Sequence, residues 1–509
     1  MRVLAIPFFI LYFTIGAFAQ NFVLAGTVKD SNSGQTLVSA TVSACGMLTF
    51  SDTEGNFSFE LDEDECLFEV RYLGYETYSE SIKLPLEDGK PFIVFMNASQ
   101  NILNQAVITA NKFQERQSQS TVSLEVLKPS FFEQVNAPSV DQGLDLVPGI
   151  DILDGQANIR GGSGYSYGAG SRVLLVIDQM PALQYDGGYS QWDDIPTEMI
   201  AQVEILKGAS SVLYGSSAMN GVIQFTTEDP SRIPKTKAGI SYRQFMAPED
   251  PRRKWWTSAP FETNAYLSHS QKWKKIDFVA GGFYNKLNSY NQSVEENRGR
   301  AYAKIKFNIN PKLFVTLNSN LSIGDNASFF YWGNALRKSF QPGDNTLNNN
   351  NITRYFIDPS AVYYGNNDNK HTFRSRFYSA KNVSDNNQTI RSQFQYASYN
   401  YQYTFRKIEA NLIAGFEGLL NQTNAELYSN SEYTGSNAGV FLQWNQTLAK
   451  KWRYSLGARY EINQLSNPEF SYSLNDTQYE IAAQNALEAK PVFRSGINYQ
   501  PFKGTYLRA

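Results

Sequence analysis

The sequence predicts a mainly β chain in three parts: an N-terminal β-sandwich, a small α/β unit, and part of a large antiparallel transmembrane β-barrel. Three observations predict it. Alternation of apolar and polar residues with a period of two dominates the second half of the chain. Beyond the N-terminus nothing has the roughly 18 unbroken apolar residues of a spanning helix, so any membrane insertion must use strands. Aromatics make up 14% of the 509 residues and charged groups only 18%, which suits β-structure whose exterior need not face water everywhere.

The chain opens with an export signal over residues 1–19. Arg2 supplies the positive start, residues 3–17 are mostly apolar, and Ala17-Phe18-Ala19 has the small-x-small pattern of a cleavage site. The stretch is short for a transmembrane helix, and no basic stop sequence follows. Export places Cys45 and Cys66, the only cysteines, in an oxidising compartment. They form either one disulfide or two buried free thiols, with a structural role in both cases. The net charge of −3 excludes the basic surface a nucleic-acid partner needs. His269 and His371 are far apart and outside any H-E-x-x-H pattern, and G-x-S-x-G does not occur. No enzyme, metal site or cofactor is therefore expected.

Residues 20–98 read as short strands joined by turns. Ala25-Gly26-Thr27-Val28 opens, Ala40 to Ser43 alternates, and the turn Asp52-Thr53-Glu54-Gly55-Asn56 feeds Phe57 to Leu61. Leu67 to Tyr72 and Phe92 to Met96 continue the pattern, which indicates a small sandwich. The order Gly26-x-Val28-x-Asp30, Ala40-Thr41-Val42, Asp52 to Phe59 and Leu73-Gly74-Tyr75 resembles carboxypeptidase-regulatory-like domains. That resemblance implies a transthyretin-like sandwich without catalytic residues of its own.

Residues 99–111 form a linker. Within it Leu103-Asn104-Gln105-Ala106-Val107-Ile108-Thr109-Ala110 is a short β-prone stretch between polar segments. It reads as a strand without a partner nearby, or alternatively as the last strand of the sandwich. Residues 112–230 are mixed α/β. Asp141 to Ile150 begins as a short helix stopped by Pro148-Gly149, and Arg172 to Asp178, Ile200 to Gly208 and Gly215 to Thr226 supply strands. The glycine-rich Arg160-Gly161-Gly162-Ser163-Gly164 lacks the Lys-Ser/Thr of a phosphate loop and reads as tight packing of loops.

Residues 231–509 carry the barrel texture. Ala303, Ile305, Phe307 and Ile309 alternate with Lys304, Lys306, Asn308 and Asn310, and Trp452, Tyr454, Leu456 and Ala458 with Arg453, Ser455, Gly457 and Arg459. A soluble sandwich shares that period. Two features favour a barrel: tight turns (Gln271-Lys272-Trp273, Asn310-Pro311-Lys312, Ala449 to Trp452) alternate with long polar loops such as Gly324 to Asn351, and aromatics (Trp273, Trp452, Tyr499) sit at strand ends.

Four blocks in the second part resemble the plug of TonB-dependent outer-membrane receptors. They are Val147-Pro148-Gly149-Ile150, Asn158-Ile159-Arg160-Gly161, Val173 to Asp178, and Val203 to Gly208 running through Ser211 to Gly215 and on to Ile223. Carried over, the plug motif residues are Arg160, Gly161, Gly162, Asp178, Glu204, Lys207, Gly208, Tyr214 and Gly215. Ala209 stands where the family usually has proline, and Gln179 where a glycine commonly follows the aspartate. The resemblance implies an outer-membrane location, a lipid-facing barrel, and a nutrient ligand held by external loops and plug apices. It also implies a TonB box at Leu103 to Ala110, the handle for TonB and its inner-membrane energising complex. An extended segment can add to a partner's sheet through main-chain hydrogen bonds. Starch-utilisation relatives carry Gly-Tyr-Gly after the box, but Ala110-Asn111-Lys112-Phe113 stands here. The ligand expected is thus a siderophore, cobalamin or metal chelate, with an oligosaccharide or peptide second. A non-energised adhesin or structural barrel is the reading from another class.

Two further expectations follow. A buried arginine needs a carboxylate, so Arg160 is expected to meet Glu417, which lies on the lumen-facing phase of its strand, the alternative being ordinary solvated lumen charges. Transporters of this family close about 22 strands, whereas the alternation supplies only about 12 or 13 after residue 230. The chain is therefore expected to be C-terminally truncated. Unpaired edge groups in hydrocarbon would cost several kcal/mol each, more in sum than a usual net stability of roughly 5–15 kcal/mol.

Overall fold

The structure, a computed structural model, describes residues 22–509 except 32, 64, 73–74, 86–91, 98–105, 108, 136–138, 163–170, 186, 231–233, 274, 336–337, 366–368, 429, 475–476 and 503. The export signal lies outside the described residues. The chain divides into two compact units, one of residues 1–31 and 35–98, the other of residues 32–34 and 99–509.

The first unit is a sandwich. In one sheet Phe22–Asp30 lies between Asn56–Leu61, antiparallel, and Phe92–Met96, parallel. The other orders Met47–Phe50, Thr41–Ala44, Glu65–Arg71 and Tyr78–Lys83. Period-two patterning sends Leu24, Val28, Phe57, Phe59, Val42, Ala44, Phe68 and Val70 inward, where all are buried. The turn before Asn56 forms because Asp52 Oδ1 accepts from the amides of Glu54 (2.9 Å) and Asn56 (2.8 Å). Cys45 and Cys66 are joined as a disulfide between the two central strands of the second sheet.

In the second unit a sheet orders Leu124–Leu127, Ile200–Lys207, Gly221–Thr227, Val173–Ile177 and Met180–Pro181. Val173–Ile177 runs parallel to Gly221–Thr227 and is at most 2% exposed along its length. An unbroken apolar run fits a strand covered on both faces. The helices Pro129–Gln134, Val140–Leu144 and Ser211–Tyr214 flank it. Its core is continuous with inward side chains of the surrounding wall, among them Phe356, Tyr378, Ile413 and Phe441. This α/β unit therefore sits inside the lumen.

The wall is a sheet of 13 antiparallel strands in chain order, from Lys235–Gln244 to Leu507–Arg508. Among the described residues its first and last strands do not pair with each other. Alternation sorts its two faces. Leu321, Ile323, Ile357, Phe373, Phe416, Val440, Leu456 and Phe493 are exposed outward, while Asn318, Asn320, Ser322, Asp358, Thr372, Gln443 and Ser455 are buried inward. The outside is apolar and the inside polar, the reverse of a water-soluble sheet. Leu347–Tyr364 has 18 residues. At about 3.4 Å per residue and a tilt of about 40° such a strand rises about 45 Å, beyond an apolar band of about 25 Å.

Two boundaries differ from expectation. The long loop expected at Gly324 to Asn351 is shorter, because Leu313–Phe329 and Leu347–Tyr364 keep pairing through Asn326↔Asn350 up to Phe329↔Leu347. Polar side chains do not end a strand once it stands above the lipid, where water suits either face. The tight turn expected at Gln271 to Trp273 falls after Trp273, which still pairs with Ile276. Trp273 is 66% exposed at this strand end, and the Trp452 and Tyr499 rings stack with centroids 4.0 Å apart. Both positions suit an interfacial girdle.

Replacing Cys45 and Cys66 by serine should lower sandwich stability by roughly 2–4 kcal/mol, the usual worth of closing a loop of this size. Faster amide exchange in Thr41–Ala44 and Glu65–Arg71, with exchange of the wall strands unchanged, is the expected readout.

Candidate functional site

From Ala106 to Ser120 most of the described residues are fastened inside the lumen. Ala106–Val107 pairs antiparallel with Glu115–Arg116. Glu204 Oε2 accepts from the Thr109 amide (2.8 Å) and hydroxyl (2.7 Å), and the Tyr214 hydroxyl donates to the Thr109 carbonyl (3.0 Å). Those bonds hold the segment to the inner sheet. Others hold it to the wall: Arg494 Nη1 donates to Ala110 O (3.4 Å), Gln443 Nε2 to Asn111 Oδ1 (2.5 Å), and Gln402 Nε2 to Lys112 O (2.7 Å). Asn498 Nδ2 donates to the carbonyls of Ser118 (2.9 Å) and Ser120 (2.7 Å). The segment is a staple between two bodies.

Lys112 carries the charge of this staple. Its Nζ lies 3.4 Å from Glu417 Oε2 and over the rings of Tyr214 (4.9 Å) and Phe441 (4.6 Å). Glu417 Oε1 also meets Arg459 Nη1 at 2.8 Å, and Arg459 Nε donates to Glu461 Oε2 at 2.5 Å. Glu461 Oε1 in turn accepts from the Ser216 amide (3.2 Å). Gly215, with φ +80°, fits between these groups because a Cβ there would lie 3.2 Å from Arg459 Nη2 and 3.3 Å from Glu461 Oε2.

Other lumen arginines anchor the loop after Ser190. Arg300 donates to the carbonyls of Asp193 (2.8 Å) and Ile195 (2.6 Å) and to Glu198 Oε2 (2.6 Å). Arg354 Nε meets Asp194 Oδ1 at 2.9 Å, and the Tyr378 hydroxyl donates to Asp194 Oδ2 at 2.8 Å. Arg376 binds Asp358 through Nε (2.8 Å) and Nη2 (2.5 Å) and passes Nη1 to Pro181 O (2.6 Å). Sequence reasoning missed all three, together with Lys112, Asn111 and Glu115. Their legible signal was arginine on the polar phase of an alternating strand, facing the adjacent acids Asp193-Asp194.

The expected motif residues take varied places. Asp178 accepts from the Thr227 amide (2.9 Å) and hydroxyl (2.6 Å) and from Asn318 Nδ2 of the wall (3.2 Å). Lys207 Nζ donates to Pro148 O at 2.8 Å and pairs with Glu125 at 2.5 Å. Gly208 and Gly161 have positive φ with open space at Cβ, and a Cβ on Gly162 would press on Asn220 at 2.9 Å. Gln179 adopts φ +66°, the backbone that suits the glycine common there in the family.

Two expectations are corrected. Arg160 does not meet Glu417. It is exposed and donates Nη2 to Ser123 Oγ (2.6 Å), so it needs no carboxylate, while Glu417 is occupied by Lys112 and Arg459. Nor is the whole stretch Leu103 to Ala110 a free strand. Leu103, Asn104, Gln105 and Ile108 lie outside the described residues, but Val107, Thr109 and Ala110 are fully buried and Ala106–Val107 has its partner in Glu115–Arg116. A chain reversal at Asn111 to Gln114 supplies that partner from residues read as part of the next unit.

Burial pushes the Glu115 carboxyl up to about 8, against the Asn111 amide (2.6 Å) and nearby arginines. Burial likewise lowers the Lys112 ammonium to about 8, against the attraction of Glu417. Two cavities open above the staple, toward the long connections. One of about 410 Å³ is lined by Tyr214, Gly215, Ser216, Tyr396 and Glu417, and a neighbour of about 490 Å³ by Tyr185, Tyr189, Asn421 and Tyr433.

Comparison with known proteins now bears on this geometry. Residues 116–222 match the TonB-dependent receptor plug domain, and residues 24–108 the CarboxypepD_reg-like domain. The second unit therefore carries a TonB-dependent receptor plug domain. The matched residues are the α/β unit inside the lumen, and the wall around it has the fold of solved receptor barrels. The chain is 28% identical over 157 residues to the vitamin B12 transporter BtuB of Vibrio vulnificus, covering 30% of this chain and 25% of that one. It is 28% identical over 233 residues to the TonB-dependent receptor SusC of Bacteroides thetaiotaomicron, covering 43% and 22%. Matches to these curated relatives thus span about a quarter of their length. The fold is that of the ferric-catecholate import receptor Fiu of E. coli K12 (TM-score 0.59, 12% identity, 77% of this chain and 69% of that one). The alcaligin receptor FauA of Bordetella pertussis is similar too (TM-score 0.59, 12% identity, 79% and 64%).

Removing one member of a buried pair strands the other. Asp194→Ala should therefore destabilise the second unit by about 3–5 kcal/mol, read as a lower Tm. Glu115 makes a pH prediction. Its folded pKa is raised, so its contribution is full below 4.5 and is lost as pH rises through about 8. Exchange protection of residues 109–120 should fall between those values, and Glu115→Gln should flatten the slope.

Proposed function

We propose that this receptor imports a scarce, bulky nutrient across the outer membrane, with TonB supplying the pull. The staple from Thr109 to Ser120 carries this reading. It is bonded to the plug sheet through Glu204 and Tyr214 and to the wall through Gln402, Gln443, Arg494 and Asn498. Force applied ahead of Ala106 must load both sets of bonds, so it acts where the plug is fastened. Because Ala106, Val107, Thr109 and Ala110 are already bonded or buried, the handle is assigned to Leu103 to Gln105. The energising partner is TonB with its inner-membrane complex, gripping by strand addition.

Two ligand classes are compatible with that machinery. Siderophores, cobalamin or metal chelates are the expectation from the linker sequence, and the name of BtuB and the titles of Fiu and FauA point the same way. Oligosaccharides or peptides are the second class. A passive adhesin would need no staple shared by plug and wall.

Proline removes a main-chain donor and cannot extend a partner's sheet. Leu103→Pro with Gln105→Pro, ahead of the packed residues, should abolish energy-dependent uptake in cells while surface level and Tm stay unchanged. Uptake that persists in that variant rules out the energised reading.

A further inference from the structure

The two rims of the wall differ in charge. On one rim the strand connections are residues 274–275, 311–312, 365–368, 406–409, 449–451 and 500–506, and they hold eight lysines and arginines against two acids. On the opposite rim they are residues 245–260, 289–294, 330–346, 385–389, 426–431 and 468–483, and they hold five against eight. A chain of net charge −3 thus carries a positive surplus at one end of its wall. That end is where the staple is fastened: Gln402, Gln443 and Asn498, which grip it, stand just before three of the basic turns.

The basic turns form a continuous border. Backbone bonds tie each to its neighbour, with the Asn308 amide donating to the Lys275 carbonyl (2.9 Å), Tyr364 to Lys312 (2.9 Å), Thr447 to Glu409 (3.0 Å) and Gln500 to Lys451 (2.8 Å). Lys275, Lys407, Lys450 and Lys451 are exposed, and among the described residues none of the four enters an ion pair. Arginines inside the lumen differ, since Arg354, Arg376 and Arg459 each hold a carboxylate. Turn geometry does not ask for lysine either. Lys450 adopts φ +57°, a left-handed backbone that glycine or asparagine takes more easily.

Apolar side chains fix the level of these cations. Trp273 and Ile276 flank Lys275, Ile408 follows Lys407, and Leu448 and Trp452 bracket Lys450 and Lys451. All five apolar residues are exposed. Exposed tryptophans at strand ends sit in the interfacial zone of a bilayer, so ammonium groups one or two residues away stand among headgroups. Ammonium groups without a protein partner at that depth attract anionic phosphate.

We propose that this basic rim binds the headgroups of anionic phospholipids in the adjoining leaflet. The opposite rim, with its acidic surplus, does not share the preference. The sidedness rests on the import reading, in which the staple end faces the periplasm and the leaflet is the inner one.

The test is lipid selectivity of the full-length protein in phosphatidylcholine vesicles with trace spin-labelled lipid. Electron paramagnetic resonance compares the motionally restricted fractions of a phosphatidylglycerol label and a phosphatidylcholine label. The wild type should prefer the phosphatidylglycerol label about threefold, because one cation near an anionic surface is worth about fivefold and only one of two rims supplies it. The preference should vanish at about 1 M salt, where the Debye length is about 3 Å. Lys275→Gln, Lys407→Gln, Lys450→Gln and Lys451→Gln together should bring the ratio near one at unchanged Tm. Lys254→Gln with Lys338→Gln, on the opposite rim, should leave it as in the wild type. Equal affinity for the two labels in the wild type, or a preference that survives all four substitutions, overturns the proposal. So does an equal loss in the opposite-rim variant, or a preference erased by millimolar glycerol phosphate, which would assign the rim to a soluble phosphate. Failure of the import reading looks different: uptake persists with the paired prolines at Leu103 and Gln105, whereas the lipid ratio is read with no TonB present.

Discussion

A backbone in hydrocarbon has no water to pair with, so every N–H and C=O in the membrane must find a partner in the protein. The wall answers that demand with twelve strands of 10 to 18 residues in long antiparallel ladders, from Lys235–Gln244 onward, and a last strand of two. Everything else follows from that ladder. Strands place alternate side chains on opposite faces, so an apolar outer face such as Phe416, Val440 and Leu456 leaves an inner face that need not be apolar at all. The lumen is therefore free to be polar, and a polar lumen is what a separate folded unit can be fastened into and unfastened from.

Fastening is done with charge more than with grease. The plug brings acids and carbonyls (Asp178, Asp194, Glu198, Pro181 O) and the wall brings arginines and amides (Arg300, Arg354, Arg376, Asn318). A buried pair of this kind adds little net stability over an apolar contact, yet breaking it by removing one member is costly. Such an interface is specific in register without being greasy. That suits a body that must seat in one position. Apolar packing is also present, through Phe356, Tyr378 and Phe441, so the plug is not simply floating on ion pairs.

Glu417 occupies the junction of the two halves. Its carboxylate lines the luminal cavity, holds Arg459 behind the plug turn at Gly215, and receives Lys112 from the staple. The staple itself includes the described residues of the box, Ala106, Val107, Thr109 and Ala110. Cavity, plug turn and staple thus meet at one side chain, though Lys112, Gly215 and Glu417 are each a hundred residues or more apart in the chain.

Much of this was open to reading from the amino acids alone. Mainly β architecture, about 12 or 13 wall strands and the two-faced wall follow from period-two alternation, because a strand's face is decided by local geometry and one residue of slip would turn every apolar group into the lumen; the plug between sandwich and wall was legible through the motif blocks it shares with a known family. The plug sheet was visible as the unbroken run Val173 to Ile177. Tertiary structure alone decided the partners. Arg160 and Lys112 are both cations near the plug sequence, and no local pattern says which of them reaches Glu417. Burial chooses: Arg160 is exposed at the end of its hairpin with left-handed backbone, and Lys112 enters between two aromatic rings. The box shows the same limit. Val107, Thr109 and Ala110 look like any free β-prone segment until the chain doubles back and Glu115–Arg116 comes alongside. Faces are local and so are written in the sequence; partners across the lumen are set by how the whole wall curves around the plug.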